Sequence, residues 1–385
     1  MAIKTNFETN GYRYYKVTKT IGHSISGEPI KKVFYGKSKS EAEQKAIEYI
    51  ELNVRGITNL ENASLGYLIN DWLWNVRRNS KKFKSSSFDR YERIVRVQII
   101  PSEISKCLIQ NISPQMIQRY YSKLYSKGYS QSKIENLNKV LSTFFNYCKT
   151  QGWISINPAS KELIELPGES DVTIDDTDED IKIFNDKQRL EIINAAKQTN
   201  DSRLTTIHTI ILLAIATGMR VGEILGLQPK YLDLENKEIK VRKTLEKINL
   251  YDENNKIIGS ELKLIDPKSK KSVRIIPLPD FIIPILRNYH FGNAVIFETN
   301  TGNFIDPRNI DRAWERFLRR HCIPYLKFHA LRHTYASLLF KEGATLKEVQ
   351  ELLGHADLKT TEKIYISTMP EDKIRRVTQI NKLFV

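Results

Sequence analysis

Arg220, Lys268, His329, Arg332, His355 and Tyr365 follow one another as R, K, HxxR, H and Y along the later part of this 385-residue chain. Each is a type that a protein would use to cut a phosphodiester without a metal ion. Two arginines can grip phosphate oxygens with paired N–H groups. A lysine and two histidines can move protons or donate hydrogen bonds. A tyrosine can attack phosphorus and hold the phosphate covalently. No single member decides the matter. HxxR alone also fits a polar pair on a helix surface, and one tyrosine among 18 is first of all a core residue.

The flanking sequence gives each residue a setting. An apolar helix ends at Thr217-Gly218, a glycine stop, and delivers Arg220 to the start of a second helix, VGEILGL, where anions are welcome. Glu223 either pairs with Arg220 as an ordinary helical ion pair or orients it towards phosphate. Lys268 lies in DPKSKK between the β runs ELKLID and SVRIIPL, so it is expected to project from a hairpin turn, with Lys270 and Lys271 as rivals. His329 and Arg332 are expected to share one helix face, away from a buried side marked by Leu331, Thr334, Tyr335 and Leu338. His355 follows the helix end Leu352-Leu353-Gly354, as a donor to phosphate or as a partner of the helix dipole. Tyr365 falls on a further helix. With helices also over 187–197, 205–216, 306–320, 328–342 and 346–353, the back domain, 184–385, reads as α+β and mainly α.

Two units precede it. Over 11–37, aromatic and β-branched residues interleave with lysines around a turn at Ser26-Gly27-Glu28-Pro29, which predicts a short antiparallel sheet. A helix follows from about Ser40, with Glu43 completing a capping box and Ala46, Ile47 and Ile50 as its apolar stripe. In this unit, 1–60, the sheet is expected to present Arg13, Lys16, Lys19, Lys31 and Lys32 on one face as a DNA contact. The alternative is a solvated basic face. Residues 63–158 read as all helical, with stripes at Leu65, Leu68, Ile69, Trp72 and Leu73 and at Ile134, Leu137, Val140, Leu141, Phe144 and Phe145. Its basic loop offers Arg77, Arg78, Lys81, Lys82 and Lys84 to phosphates, or leaves them in solvent. Residues 159–183 include DVTIDDTDED, with six acids and no base, and read as an acidic linker.

Composition bounds the function. Net charge is +15, an excess that favours a polyanionic partner. Charged residues make up 27 % and hydrophobic ones 41 %, which predicts a globular chain in several domains. The longest apolar run, 209–217, is far short of a membrane span, and MAIKTNFETNGYRYY lacks a signal-peptide core, so a cytoplasmic protein is expected. Cys107, Cys148 and Cys322 have neither disulfide nor zinc spacing.

In order and spacing the six residues resemble the tyrosine recombinase (phage-type integrase) family, in particular integrases of temperate phages and conjugative transposons. ATGMRVGEILGL resembles its first arginine box and FHALRHTYASLL its HxxR box. ELLGHADLKTTEKIYI resembles the box that ends in the nucleophilic tyrosine, and KSKKSVRIIPL the hairpin that supplies the lysine. The helical unit resembles the family's core-binding domain, and the N-terminal sheet and helix its arm-binding domain. The resemblance implies that Tyr365 attacks the scissile phosphate to give a 3′-phosphotyrosine and a 5′-hydroxyl. Arg220 and Arg332 would neutralise the phosphate, Lys268 would protonate the leaving oxygen, His329 would act as acid or base, and His355 would donate a hydrogen bond. No metal, ATP or other cofactor is implied. The partners would be double-stranded DNA at core and arm sites, a homotetramer passing through a Holliday junction, an excisionase and a DNA-bending host factor.

The expected task is integration and excision of a mobile element, as in viral genome integration or transposition. A chromosome or plasmid resolvase or invertase would use the same chemistry, as would a type IB topoisomerase. A catalytically silent DNA-binding regulator is the reading from another class, and the complete residue set weighs against it. The tail IRRVTQINKLFV carries Ile374, Val377, Ile380, Leu383 and Phe384, which pack either on a neighbouring subunit or on their own domain. If the neighbour is right, deleting the last dozen residues weakens tetramer assembly on DNA, seen by native gel, and leaves monomeric binding intact.

Overall fold

Alternating aromatic and β-branched residues do form a sheet at the front of the chain. Strands β1 (Phe7–Thr9), β2 (Tyr12–His23) and β3 (Pro29–Gly36) pair antiparallel in that order. The computed structural model describes residues 7–9, 12–23, 29–54, 63–80, 83–167, 182–198, 205–267, 272–355 and 357–368. The chain forms two units, Met1–Val172 and Thr173–Val385. None of the described helices is long and apolar enough to cross a membrane.

The sheet corrects the expected single basic face. Lys19 pairs with Lys32, whereas Lys16 lies opposite Tyr35 and Lys31 opposite Thr20. Successive strand residues point to opposite faces, so Lys16 and Lys31 share one face and Lys19 and Lys32 the other. The side chain of Arg13 lies outside the described residues. Helix α1 (Lys39–Val54) starts earlier than expected. Ser38, not Ser40, accepts the Glu41 N–H at 3.1 Å. Ala42 and Ala46 are buried, while Ile47 is exposed rather than part of the stripe.

The described residues from 65 to 150 are mainly helical. Ser64 caps α2 (Leu65–Asp71), which continues through a π-wound stretch to Arg77. Helix α3 (Ser85–Ile94) likewise runs on to Ile99. Ser113 caps α4 (Pro114–Ser126), with proline in the first turn, where its missing N–H costs nothing. Helix α5 (Gln131–Thr150) buries the whole expected stripe from Ile134 to Phe145. The Trp72 and Phe144 rings meet edge to face at 5.4 Å, and the Tyr121 hydroxyl donates to Asn138 at 2.9 Å inside this core. The segment assigned to the linker begins in packed chain. Ala159, Ile164 and Leu166 are buried, and Gln118 exchanges two hydrogen bonds with the Glu165 backbone. Apolar residues spaced through 159–166 give that stretch something to bury, which the acidic run after it lacks.

In the second unit, α6 (Asp186–Lys197) is capped by Asn185 and Gln188. Helix α7 (Thr206–Thr217) is buried from Thr209 onward, and the five-residue α8 (Val221–Leu225) follows. Strands β4 (Leu232–Asp233), β5 (Glu238–Val241) and β8 (Arg274–Pro277) form one antiparallel sheet, with β5 central. Between β5 and β8 the chain runs out and back as a separate hairpin of β6 (Thr244–Tyr251) and β7 (Ile257–Ile265). Helices α9 (Ile283–Arg287), α10 (Pro307–Arg320), α11 (Ala330–Lys341), α12 (Leu346–Leu353) and α13 (Leu358–Thr368) complete the unit. Trp314 of α10 is fully buried among Phe184, Phe317 and Phe328.

Glycines bring α8 hard against β6. A Cβ on Gly226 would lie 2.9 Å from both Leu245 N and Thr244 Cα, which are backbone atoms and cannot step aside. Gly226→Ala is therefore expected to destabilise the protein by about 1–3 kcal/mol. Gly259→Ala, which would meet nothing within 4 Å, is expected to stay within about 0.5 kcal/mol of the parent. Urea unfolding of the two variants checks the contrast, and equal midpoints would refute the close contact.

Candidate active site

The last turn of α12 gathers the site. Gly354 adopts the left-handed conformation at φ +66° and closes the helix, its N–H bonding to Gln350 and Glu351 while the His355 N–H bonds to Gln350. A helix end leaves several carbonyls without intrahelical partners. Here the next three in order are each taken by a different arginine. Arg274 Nε donates to Leu352 O at 2.7 Å, Arg332 Nη2 to Leu353 O at 2.7 Å, and Arg220 Nη2 to Gly354 O at 3.4 Å. The carbonyl end of a helix carries partial negative charge, so it suits three cations that would otherwise repel.

Arg220 is the N-cap residue of α8, placed by the left-handed stop of α7 at Gly218, φ +62°. Its backbone N–H and Nη1 both reach Glu223, at 3.0 and 2.9 Å. Glu223 is buried and also accepts a fork from Arg274, with Nη1 on Oε1 at 3.1 Å and Nη2 on Oε2 at 2.9 Å. Burial alone would raise the Glu223 pKa. The hydrogen bonds and charge of Arg274, then of Arg220, outweigh it and hold the carboxyl at about 2.

Arg332 does not share an outward face with His329 as expected. It is 1 % exposed. It donates to Gly218 O at 2.8 Å as well as to Leu353 O, and among the described residues its Nε has no partner. Burial, then the charge of Arg220, lowers its pKa, but a guanidinium stays protonated in proteins. Its register on α11 explains the burial. Arg332, Ala336 and Phe340 recur every fourth residue, on one side of the helix, and all three are buried.

His329 sits just before α11, with an open edge to solvent and its ring edge-on to His333 at 4.7 Å. Desolvation by the surrounding protein, then the charges of His333, Arg332 and Arg220, lowers its pKa to about 4. His355 is buried, and its Nδ1 lies 2.8 Å from Thr361 Oγ1. Burial, then Arg332 and Arg220, lowers its pKa to about 3. Both rings are therefore neutral at pH 7 in the DNA-free protein. Thr361 belongs to α13, and Tyr365 follows one turn later on the same helix face. Tyr365 is half-buried, with its ring edge-on to Phe340 at 5.1 Å.

The hairpin expected around Lys268 is not formed. Strand β7 pairs with β6 and β8 with β5, so the stretch between β7 and β8 joins two sheets. An apolar run on each side of a turn looks like a hairpin in sequence, but strand pairing is decided by partners elsewhere. Lys268, Lys270 and Lys271 lie outside the described residues, as do the tail residues from 369 on. The same holds for Lys81 and Lys82 of the basic loop. Arg77 lies between the Trp72 and Phe83 rings at 5.0 and 4.9 Å, Arg78 over Trp74 at 5.0 Å, and Lys84 is half-buried just before α3.

Sequence reasoning missed Arg274 and Thr361. Arg274 had a readable signal. In SVRIIPL it stands in phase with Ile276, and both are buried while Ile275 is exposed. A charge on the inward phase of a strand asks for a partner. Thr361 had none, because its role depends on how α13 meets α12.

Lowered histidine pKa values predict a pH dependence. Between about pH 4 and 6.5 the unfolded chain binds protons that the folded His329 and His355 refuse, so stability falls as pH is lowered through that window. The melting temperature of the DNA-free protein is expected to drop more steeply there than that of a His329→Asn/His355→Asn variant. Parallel curves would show that the two rings are not desolvated.

Comparison with known proteins places this arrangement. Residues 182–371 match the phage integrase family. A tyrosine recombinase XerC-like protein of Caldanaerobacter subterraneus is 37 % identical over the whole of both chains. The integrase of Staphylococcus phage L54a is 25 % identical over 82 % of this chain and 92 % of its own. In fold, the integrase of transposon Tn1549 in complex with transposon right end DNA superposes with a TM-score of 0.63. It is 20 % identical, and the match covers 81 % of this chain and 99 % of that one. A lambda integrase dimer bound to a core site gives 0.55 at 16 % identity, over 93 % of each chain. With that likeness over its full length, the chain belongs to the tyrosine recombinases of the phage integrase type and is a site-specific recombinase.

Proposed function

We propose that this recombinase cuts and rejoins DNA with Tyr365 as nucleophile, through a 3′-phosphotyrosine, to integrate and excise a mobile element. The observation that carries the catalytic part is Arg332, a buried cation with carbonyl partners whose Nε, beside Arg220, has no partner among the described residues. A phosphodiester would complete it. Arg220 and Arg332 take the non-bridging oxygens, neutral His355 donates a hydrogen bond once Thr361 has fixed its ring, and His329 exchanges protons from its open edge. Lys268 is the proposed acid for the 5′-oxygen. About 0.1 % of a free tyrosine is phenolate at pH 7, so proton removal or charge stabilisation by these groups has to make Tyr365 reactive. The arginines supply positive charge at the phosphate, and the phosphotyrosine conserves the bond for religation, so the proposed reaction needs neither metal nor ATP. A tetramer passing through a Holliday junction is the assembly proposed for strand exchange.

Integration is favoured over resolution by the N-terminal sheet and helix, with Lys16 and Lys31 exposed on one sheet face. They offer a second DNA contact, at arm sites, beside the core contacts proposed for Arg77, Arg78 and Lys84. The L54a integrase and the Tn1549 integrase are relatives of this kind by name, whereas the XerC-like relative keeps the resolvase reading in view. Footprinting across the direct repeats that flank the element decides. Protection at a second site away from the crossover supports the integrase, and protection confined to the crossover supports the resolvase.

A nicked suicide substrate carrying the crossover site should trap a covalent protein–DNA adduct in EDTA. Tyr365→Phe is expected to abolish the adduct and keep DNA binding. Arg332→Lys, which loses the fork, is expected to slow adduct formation by about 10²–10³-fold, by analogy with a lost oxyanion donor. An adduct formed by Tyr365→Phe would remove Tyr365 as the nucleophile.

A further inference from the structure

We propose that Arg274 is a positioning residue for strand cleavage, the counter-charge that occupies Glu223 and thereby leaves Arg220 open to the scissile phosphate. The inference rests on the proposed role of Arg220. Two arginines compete for one carboxylate, and the geometry divides them unequally. Arg274 gives Glu223 both prongs of its guanidinium, at 3.1 and 2.9 Å, and its side chain is 5 % exposed. Arg220 gives one guanidinium N–H and its backbone N–H, and its side chain is 38 % exposed. The buried fork is thus Arg274–Glu223, the strong two-point pairing. Arg220 is braced against its rim with N–H groups to spare.

Remove Arg274, and Glu223 is a buried carboxylate with Arg220 as its remaining guanidinium partner. Poorly solvated charges attract strongly, and a lone buried carboxylate is costly. Arg220 would then turn both prongs onto Glu223, giving up its contact to Gly354 O at 3.4 Å and its approach to phosphate. Arg274 also ties the entry of β8 to the end of α12. Its Nη1 donates to Ser272 O at 3.3 Å and its Nε to Leu352 O. The same side chain therefore holds Ser272 and the start of β8 against the end of α12.

Single-turnover adduct formation by the full-length protein on the suicide substrate tests this, with DNA affinity measured alongside. Arg274→Gln is expected to slow cleavage by about 10²-fold, the cost of one lost electrostatic ligand, while affinity, spread over many phosphates, changes little. Glu223→Gln alone should slow it less. The double variant Glu223→Gln/Arg274→Gln should cleave at least about tenfold faster than Arg274→Gln, because no carboxylate remains to capture Arg220. A purely structural Arg274 predicts the reverse order, with the double variant slowest, and that result overturns the proposal. Arg274→Lys, which keeps the charge and is the variant to read if the glutamine form does not fold, should stay within about tenfold of the parent. A loss as large as that expected for glutamine also overturns it. Unchanged cleavage by Arg220→Lys would instead overturn the role of Arg220 itself.

Discussion

The second unit depends on how the C-terminal turn of α12 is satisfied. Leu352, Leu353 and Gly354 turn three carbonyls into a buried or part-buried region, where an unpaired backbone oxygen is costly. Arginines from β8, α11 and the start of α8 supply the donors. Elements separated by more than a hundred residues in sequence are thereby pinned to one turn, and Gly218 O, at the end of α7, joins them through Arg332. These contacts are polar and directional. They set where each guanidinium lies in a way that apolar packing alone, which tolerates sliding, does not.

Gathering three guanidiniums costs free energy, and the compensation is uneven. Among the described residues Glu223 is the single carboxylate with ion pairs in the cluster, and it is shared by Arg220 and Arg274. Arg332 is left with neutral carbonyls. Its charge is tolerated because those carbonyls stand at the negative end of a helix and because the nearby Glu223 carboxylate favours it. Desolvation, and after it the same excess of positive charge, keeps His329 and His355 neutral. A site built this way is less stable than the fold allows, a cost that functional sites commonly carry.

Much of this was legible in residue types and local stops. Glycine at 218 and 354 marked two helix ends, and Ser113-Pro114 marked a start, because caps are chosen by local backbone geometry. The order R, HxxR, H, Y grouped Arg220, Arg332 and His355 as one set, which the structure brings to one turn. What was not legible depends on partners far along the chain. DPKSKK looked like a hairpin turn because nothing in ELKLID says that its partner is 244–251. The basic sheet residues were grouped by composition, although Lys31 and Lys32 are adjacent and must face opposite ways in a strand. A buried side drawn through Leu331, Thr334, Tyr335 and Leu338 pointed Arg332 outward, whereas its spacing with Ala336 and Phe340 puts it inward.

The turn after Gly354 also links the cations to the proposed nucleophile. His355 is the first residue beyond the gripped carbonyls, and its Nδ1 meets Thr361 in the first half of α13. Thr361 is fully buried, so α13 cannot rotate about its axis without breaking that contact. Tyr365 lies one turn further along the same face and packs on Phe340 of α11, the helix that also carries Arg332. Displacing any one of the three carbonyls would therefore move His355, then Thr361, then the helix that bears the tyrosine. On the proposed reading, the protein holds its phosphate ligands and its nucleophile in common register through backbone carbonyls.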